Sequence, residues 1–429
     1  MPRAFAVYSS AVPSQNTPTL DSSQKRSAAA IIASQTCTKI GDVLMNPKTV
    51  LTWVLTYLGA PAGLISMLVP IRESGSMLPQ LLISSWVKRV RHRKRVFIAG
   101  ALTQAVAVAS MGFAAMFLSA MAAGWSVLAA LTVFAVARAF CSISSKDVLG
   151  RSVPKGVRGR VGGLSATISG LLSAAAAASM TFYRDQKTIT VLAWVLLIAA
   201  MLWLIGAALY SLVKEPLPDD AEAEPEVVSD LKKRLSLVLD DSVFRNFIIC
   251  RCLLLGSALA SPLLVVLGQK HTGTLISLVG FVLASGLASG VSSFLWGKLA
   301  DRSGSLTMAI GGLTCTLFGI AGIFIALWFE GLSDSHWCWP VLFLLFNLGY
   351  AGVRVGRKTW VVDAAEGDRR TDYVSASNTL IALCIILMGL LTSAFHSFSP
   401  LIPLGIYCFL SLMGCGIALL MHRQERLSD

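Results

Sequence analysis

Gly297-Lys298-Leu299-Ala300-Asp301-Arg302-Ser303-Gly304 interrupts two apolar blocks, one near 274–296 and the other near 306–329. Crossing a hydrocarbon core of about 30 Å as a helix takes about 20 residues, and each block meets that length. In lipid every backbone N–H and C=O must be satisfied inside the structure, which leaves helices or a closed barrel. The blocks lack the alternating ten-residue pattern of an outer-membrane barrel. The stretch therefore reads as the polar turn of a transmembrane helical hairpin. Composition agrees: 55% of the 429 residues are hydrophobic, 14% are charged and the mean hydropathy is +0.69. A soluble domain carries roughly 25% charged residues.

Working outward, the same reading gives about twelve spans. They lie near 28–55, 64–86, 96–118, 125–145, 161–181 and 188–213, then 246–268, 274–296, 306–329, 337–353, 374–396 and 400–421. The first is overlong and contains Asn46-Pro47, so it is expected to kink where proline removes a backbone donor. Residues 1–27, rich in Ser, Thr, Pro and Gln, read as a disordered tail, and 422–429 as a second tail. Residues 214–243 form a polar linker between a first half, 28–213, and a second, 244–421. Its basic part, 229–239, has the pattern of an amphipathic surface helix.

The two halves are repeats. A shift of 212 residues places Gly100 on Gly312, Lys146 on Lys358, Arg158 on Arg370, and Ser165 with Thr167 on Ser377 with Thr379. Apolar coincidences mean little in so apolar a chain, but basic residues aligned without a gap are harder to obtain by chance. Repeats of this kind let a site form between two bodies that rock against each other.

The net charge of +13 follows from topology rather than from nucleic acid. Most Lys and Arg lie in alternate connections and the tails; Arg184, Lys187 and Lys270 are the exceptions outside the spans. The bias predicts a multi-pass protein of a cytoplasmic (inner) membrane with both termini cytoplasmic. Lys88-Arg89-Val90-Arg91-His92-Arg93-Lys94-Arg95, wedged between two spans, is expected to contact anionic lipid headgroups. The nine cysteines are scattered, and Cys250 with Cys252 point about 200° apart on a helix, the wrong geometry for one metal. The five histidines are dispersed too, so no metal site and no cofactor are expected. No phosphate-cradling glycine loop, nucleophile elbow or His-Glu-x-x-His helix occurs, which argues against an ATP-driven pump and against an enzyme.

The quoted stretch resembles the loop motif of the major facilitator superfamily, Gly-x-Leu-Ala-Asp-Arg-x-Gly-Arg, at the place where that family carries its second copy. Gly297, Asp301, Arg302 and Gly304 match it, and Ser305 replaces the final Arg. The first-half copy is degenerate, with Arg89 where the family has Asp. Arg138-Ala139-Phe140-Cys141-Ser142 is similar to the family's Arg-x-x-x-Gly pattern, with Ser for Gly. The fifth span lacks the Gly-Pro of the family's drug–proton antiporters, which points away from drug efflux. The resemblance implies an all-α membrane fold of two pseudo-symmetric six-helix halves. It also implies a secondary transporter working by alternating access, in which Asp301 latches one state by pairing with Arg354 or Arg357.

Seven charges fall inside spans: Lys39, Asp42, Lys48, Arg72, Glu73, Arg138 and Arg251. At roughly 3 kcal/mol each, unpartnered, they would exceed a typical stability margin. They must pair, or face water. In the resembled family the first, fourth, seventh and tenth helices line the cavity. That makes Lys39, Asp42, Arg138, Arg251 and Asn347 candidate pathway residues, with Arg72 and Glu73 as further candidates. Lys39 and Arg251 are equivalent under the 212-residue shift. Lys39 and Asp42, at i and i+3, are close enough to neutralise each other. Asp42 is the expected proton-coupling acid and Glu73 the reserve. Five cations against two acids point to an anionic or zwitterionic solute, carried by a monomer. The alternative is a membrane sensor or assembly factor that keeps the fold without transport; a sizeable cytoplasmic domain, which such a sensor needs, is not evident in the chain.

Overall fold

The computed structural model describes residues 21–79, 83, 86–87, 90–154, 157–179, 188–216, 241–364 and 367–428. The tail up to residue 20, the proposed surface helix at 229–239, and Lys88-Arg89 lie outside the described residues.

The described residues are all-α. In chain order the first half contains α1 (Ser22–Leu44), α2 (Val50–Tyr57), α3 (Ala62–Met77), α4 (Arg93–Phe117), α5 (Ala120–Ser152), α6 (Arg158–Ser179) and α7 (Thr188–Ser211). The second contains α8 (Ser242–Leu253), α9 (Gly256–Leu259), α10 (Ser261–Thr272), α11 (Leu275–Ala300), α12 (Gly304–Trp328), α13 (Glu330–Ser333), α14 (Cys338–Ala364), α15 (Gly367–His396) and α16 (Leu401–Ser428).

Nine segments among the described residues are long and apolar enough to cross a membrane: α4, α5, α7, the run α8–α10, α11, α12, α14, α15 and α16. The chain is thus a multi-pass membrane protein. Three expected spans fall outside this set for a local reason. α1 carries Lys25, Arg26, Lys39 and Asp42; α3 is 16 residues long with Arg72 and Glu73; α6 is built largely of Gly, Ser and Ala. Side chains such as Phe117, Trp125, Leu171, Leu317 and Phe409 stand exposed around the outside, as lipid-facing residues do.

Two boundaries differ from expectation. α1 starts at Ser22, inside the expected tail, because the Asp21 carboxylate accepts the Ser22 N–H at 2.6 Å while Gln24 Oε1 accepts the Asp21 N–H at 3.1 Å. That reciprocal box satisfies donors a bare helix end would leave unpaired. At the other end α16 runs on to Ser428, through the expected second tail.

The kink expected at Asn46-Pro47 is a full break. α1 stops at Leu44 and α2 begins at Val50. Pro47 has no N–H to give; Asn46 Oδ1 accepts the Lys48 N–H at 2.8 Å, and the Thr52 hydroxyl donates to the Pro47 carbonyl at 2.7 Å. Irregular backbone at membrane depth is tolerated where it lines a cavity, and here it does.

Packing follows one scheme twice. α4 packs on α5 and α7, and α1 on α7; α12 packs on α14 and α16, and α8 on α16. The α12–α14 seam depends on glycine: a Cβ on Gly311 would sit 2.6 Å from Val353 N and 2.7 Å from the Gly349 carbonyl. One on Gly304 would sit 2.7 Å from Trp360 N. Buried cysteines fill similar gaps, Cys141 beside Gly100 and Cys415 beside Gly312. The halves meet through α2 on α10, α3 on α15 and α6 on α11.

Candidate functional site

Between the halves lies a polar cavity of about 280 Å³. α1 supplies Asp42, the break Asn46, Pro47 and Lys48, α3 Arg72 and Glu73, and α5 Arg138. From the second half α11 supplies Ser285 and Ser289, and α14 Asn347, Tyr350 and Arg354. A larger groove of about 460 Å³ on the outer face of α4 and α5 is apolar and lined by no charged residue, so it does not compete as a site.

Asp42 organises the first-half wall. Its carboxylate accepts Arg138 Nη1 at 2.5 and 2.6 Å and Arg72 Nη2 at 3.1 Å. The Arg72 guanidinium also lies over the Phe134 ring, 5.0 Å from its centroid. Charge-assisted bonds of this kind are about twice as strong as neutral ones. They explain how three charges sit side by side at membrane depth: each guanidinium finds its counter-charge in the shared carboxylate. Glu73 lines the same space, yet its carboxylate makes no hydrogen bond or ion pair among the described residues.

Lys39 does not pair with Asp42. Its ammonium donates to Ser165 Oγ at 2.7 Å and to the Gly162 carbonyl at 3.4 Å, and Ser165 in turn donates to Gln35 Oε1 at 3.1 Å. Although i and i+3 are neighbours on a helix, Asp42 is turned toward α3 and α5 and Lys39 toward α6. Arg251, 8% exposed, makes the matching contact in the second half, with Nη1 donating to Ser377 Oγ at 2.6 Å. Both members of this pair are related by the 212-residue shift. Lys39 and Arg251 therefore tie helices within their own halves and are not among the cavity-lining residues.

Asn347 reaches the cavity wall with its amide engaged: Nδ2 donates to the Phe343 carbonyl at 2.9 Å and Oδ1 accepts Ser261 Oγ at 3.2 Å. Lys48, expected only as a charge inside a span, and Asn46, Ser285, Ser289 and Tyr350, which no sequence feature singles out as wall residues, complete the lining. The Asn-Pro signal was visible, but that it would turn these side chains inward was not. The Lys48 ammonium sits 4.1 Å above the Tyr350 ring.

The loop motif is placed differently from its expected pairing. Asp301 is exposed at the end of α11 and engages neither Arg354 nor Arg357 in this conformation. Arg302 is exposed beside it, and Gly297 has open space where a Cβ would stand. Arg354 faces the cavity, and Arg357, one turn on, lies within electrostatic reach of Arg251. The carboxylate that holds the start of α12 is Glu425, which accepts Ser305 Oγ at 2.5 Å and Trp360 Nε1 at 2.9 Å. In the first half the Glu215 carboxylate, its side chain 1% exposed, accepts the Arg93 and Lys94 N–H groups at the start of α4, together with Arg151. A carboxylate at a helix start meets both unpaired donors and the positive end of the dipole. Lys146 and Lys358, another pair related by the shift, stand within electrostatic reach of each other across the halves at this basic end.

Comparison with solved structures finds the same fold in the POT family transporter PepTSo, with a TM-score of 0.71 at 12% identity, covering 96% of this chain and 100% of that one. A POT family transporter in complex with 5-aminolevulinic acid matches with a TM-score of 0.68 at 13% identity, over 92% and 95% of the two chains. The nucleoside transporter NupG matches with a TM-score of 0.64 at 10% identity, over 93% and 98%. No curated protein sequence matches the chain. Residues 34–389 match the family model of the Major Facilitator Superfamily, a range that includes the helix break at Asn46-Pro47 and every residue lining the cavity. The chain belongs to the Major Facilitator Superfamily.

Proposed function

We propose that this chain is a secondary transporter that moves a small solute across a membrane by alternating access, through twelve spans in two pseudo-symmetric halves. The observation that carries the reading is the polar cavity at the junction of the halves, lined from both. The three segments short of a span by composition are those with polar or small residues, and two of them line the cavity. Away from the basic end the halves are held by Gln269 Nε2, which donates to the Trp53 carbonyl at 3.1 Å, by the packing of Trp53 on Phe281, and by Ser66 bonded to His396. At the basic end the like charges of Lys146 and Lys358 repel one another. In this reading the contacts away from that end close the outer side, and the charge bias assigns the basic end to the cytoplasm with both termini. Asp301, free here, is the proposed latch of the closed form.

Coupling falls to Glu73 rather than Asp42. Taking up a proton at Asp42 would break its bonds to two guanidiniums, whereas Glu73 has no side-chain hydrogen bond or ion pair among the described residues to lose. A conformational change driven by a ligand requires differential affinity between the two states, and a cavity-facing carboxylate supplies it for protons. The test uses purified protein in proteoliposomes. Glu73→Gln should abolish accumulation driven by a pH gradient and leave counterflow of labelled solute intact. Surviving pH-driven accumulation would remove Glu73 from coupling. Absence of counterflow for every solute in the wild type would favour the sensor reading. A cysteine placed at Asp185 should label from outside intact cells and one at Glu222 should not.

A further inference from the structure

We propose that the solute carries a carboxylate, and that Lys48 from the first half and Arg354 from the second clamp it between them. The proposal rests on the transport reading only for what happens after binding. Six charges line the cavity: Asp42 and Glu73 against Lys48, Arg72, Arg138 and Arg354. Asp42 is committed to Arg72 and Arg138, and Glu73 brings that first-half group to neutrality. Lys48 and Arg354 are then in excess.

Both are free to bind. Neither side chain has a hydrogen bond or an ion pair among the described residues, and both are half-buried. Lys48 is not loose, because the Tyr350 ring lies 4.1 Å beneath its ammonium. Tyr350 and Arg354 are i and i+4 on α14, so they share one helix face, and Arg354 stands one turn beyond the ring. The Asn46 amide N–H₂ and the Tyr350 hydroxyl add donors with no protein partner among the described residues. A half-buried cation without a counter-charge is costly in a low-dielectric site. A carboxylate relieves both at once, by an ion pair to Lys48 and a two-pronged contact with the Arg354 fork.

Size narrows the class further. A cavity of about 280 Å³ falls at or below the lower end of small-molecule sites, which begin near 300 Å³, so a small metabolite fits and a lipid or polymer does not. Position supplies the mechanism. Because the clamp has one jaw in each half, a bound carboxylate favours the state in which the jaws are closer, and it offsets the repulsion at the basic end.

The test is binding to the purified full chain, followed by thermal stability and calorimetry. The probes are two- to six-carbon mono- and dicarboxylates, each paired with its neutral amide. At least one carboxylate should raise the melting temperature while its amide does not. Lys48→Gln and Arg354→Gln should each weaken that binding about tenfold or more, Lys48→Arg should retain most of it, Arg354→Lys, which keeps the charge but loses the fork, should fall between, and Arg423→Gln, outside the cavity, should not change it. The charge-keeping pair separates lost binding from lost folding. A panel with no binder, equal binding of an acid and its amide, or binding indifferent to both Gln variants would each overturn the clamp. Counterflow separates the two readings. A carboxylate that binds without counterflow leaves the clamp and removes transport. Counterflow of a neutral or cationic solute, with no carboxylate bound, does the reverse.

Discussion

Lys39 bonded to Ser165 and Arg251 bonded to Ser377 are the same contact made twice, 212 residues apart. One turn along, the likeness ends. Positions equivalent to Asp42, Arg72 and Arg138 are occupied by Leu254, Ala284 and Tyr350. Leu254 packs against Gly312 and Gly414, and Tyr350 lies under Lys48. The contact that ties helices within a half is kept in both, while the ionised cluster exists in one. The shared contact is structural, and the charged chemistry resides where the two stretches differ. A site between two such halves is therefore asymmetric, with a fixed ion-pair wall facing a wall of neutral hydrogen-bonding groups and one free guanidinium.

The sharpest way to break this comparison is to make the first half resemble the second. Asp42→Leu alone leaves two partly buried guanidiniums, Arg72 at 12% and Arg138 at 35% side-chain exposure, without their counter-charge, and should cost about 1–3 kcal/mol. The quadruple variant Asp42→Leu, Arg72→Ala, Glu73→Ser, Arg138→Tyr removes the whole neutral group and should recover most of the lost melting temperature, yet transport nothing. If the quadruple is as unstable as the single, the cluster is not held by charge balance. The reverse contrast concerns glycine. Gly311→Val drives a side chain into the α14 backbone and should cost about 1–3 kcal/mol, because backbone cannot move aside as a side chain can. Gly297→Val, in open space, should leave the melting temperature nearly unchanged.

Smaller effects test the shared contact. Ser377→Ala leaves Arg251 without its hydroxyl partner in a buried setting and should cost about 2 kcal/mol. Ser165→Ala should cost less than about 1 kcal/mol, since half-buried Lys39 keeps access to the Gly162 carbonyl and to water. Equal losses would mean that burial does not distinguish the pair. The smallest change is Glu215→Gln, which weakens the hold on the start of α4 by about 0.5–1 kcal/mol. Hydrogen exchange at Lys94 should report it even if the melting temperature does not.

Much of the fold was legible before any tertiary contact. The polar break at Gly297–Gly304, flanked by two apolar blocks, is a hairpin of membrane helices in the structure. Asn46-Pro47 marked the place where the first helix stops. The site was legible in its parts: Asp42, Arg72, Glu73, Arg138 and Asn347 all line the cavity. Their partners were not. The neutralisation of Asp42 by Lys39 is natural on one helix, but α6 offers Lys39 a hydroxyl and α5 offers Asp42 a guanidinium. Lys48 is legible as a charge inside a span but not as a wall residue, because nothing local distinguishes a cation at a helix break from one at a helix end.

By itself the sequence determined that the chain crosses a membrane many times, and that charges lie within its apolar stretches, where lipid would reject them. Those properties are local, set by hydropathy summed over a span and by the cost of an unpaired ion. Only the tertiary structure decided which charge meets which. Asp42 and Arg138 lie 96 residues apart in the chain and 2.5 Å apart in space. Their meeting depends on how α1 and α5 are rotated about their axes and where they cross, quantities set by packing against every other helix. The same rotations turn Lys39 and Arg251 away from the cavity and leave Lys48 and Arg354 facing it, unpaired.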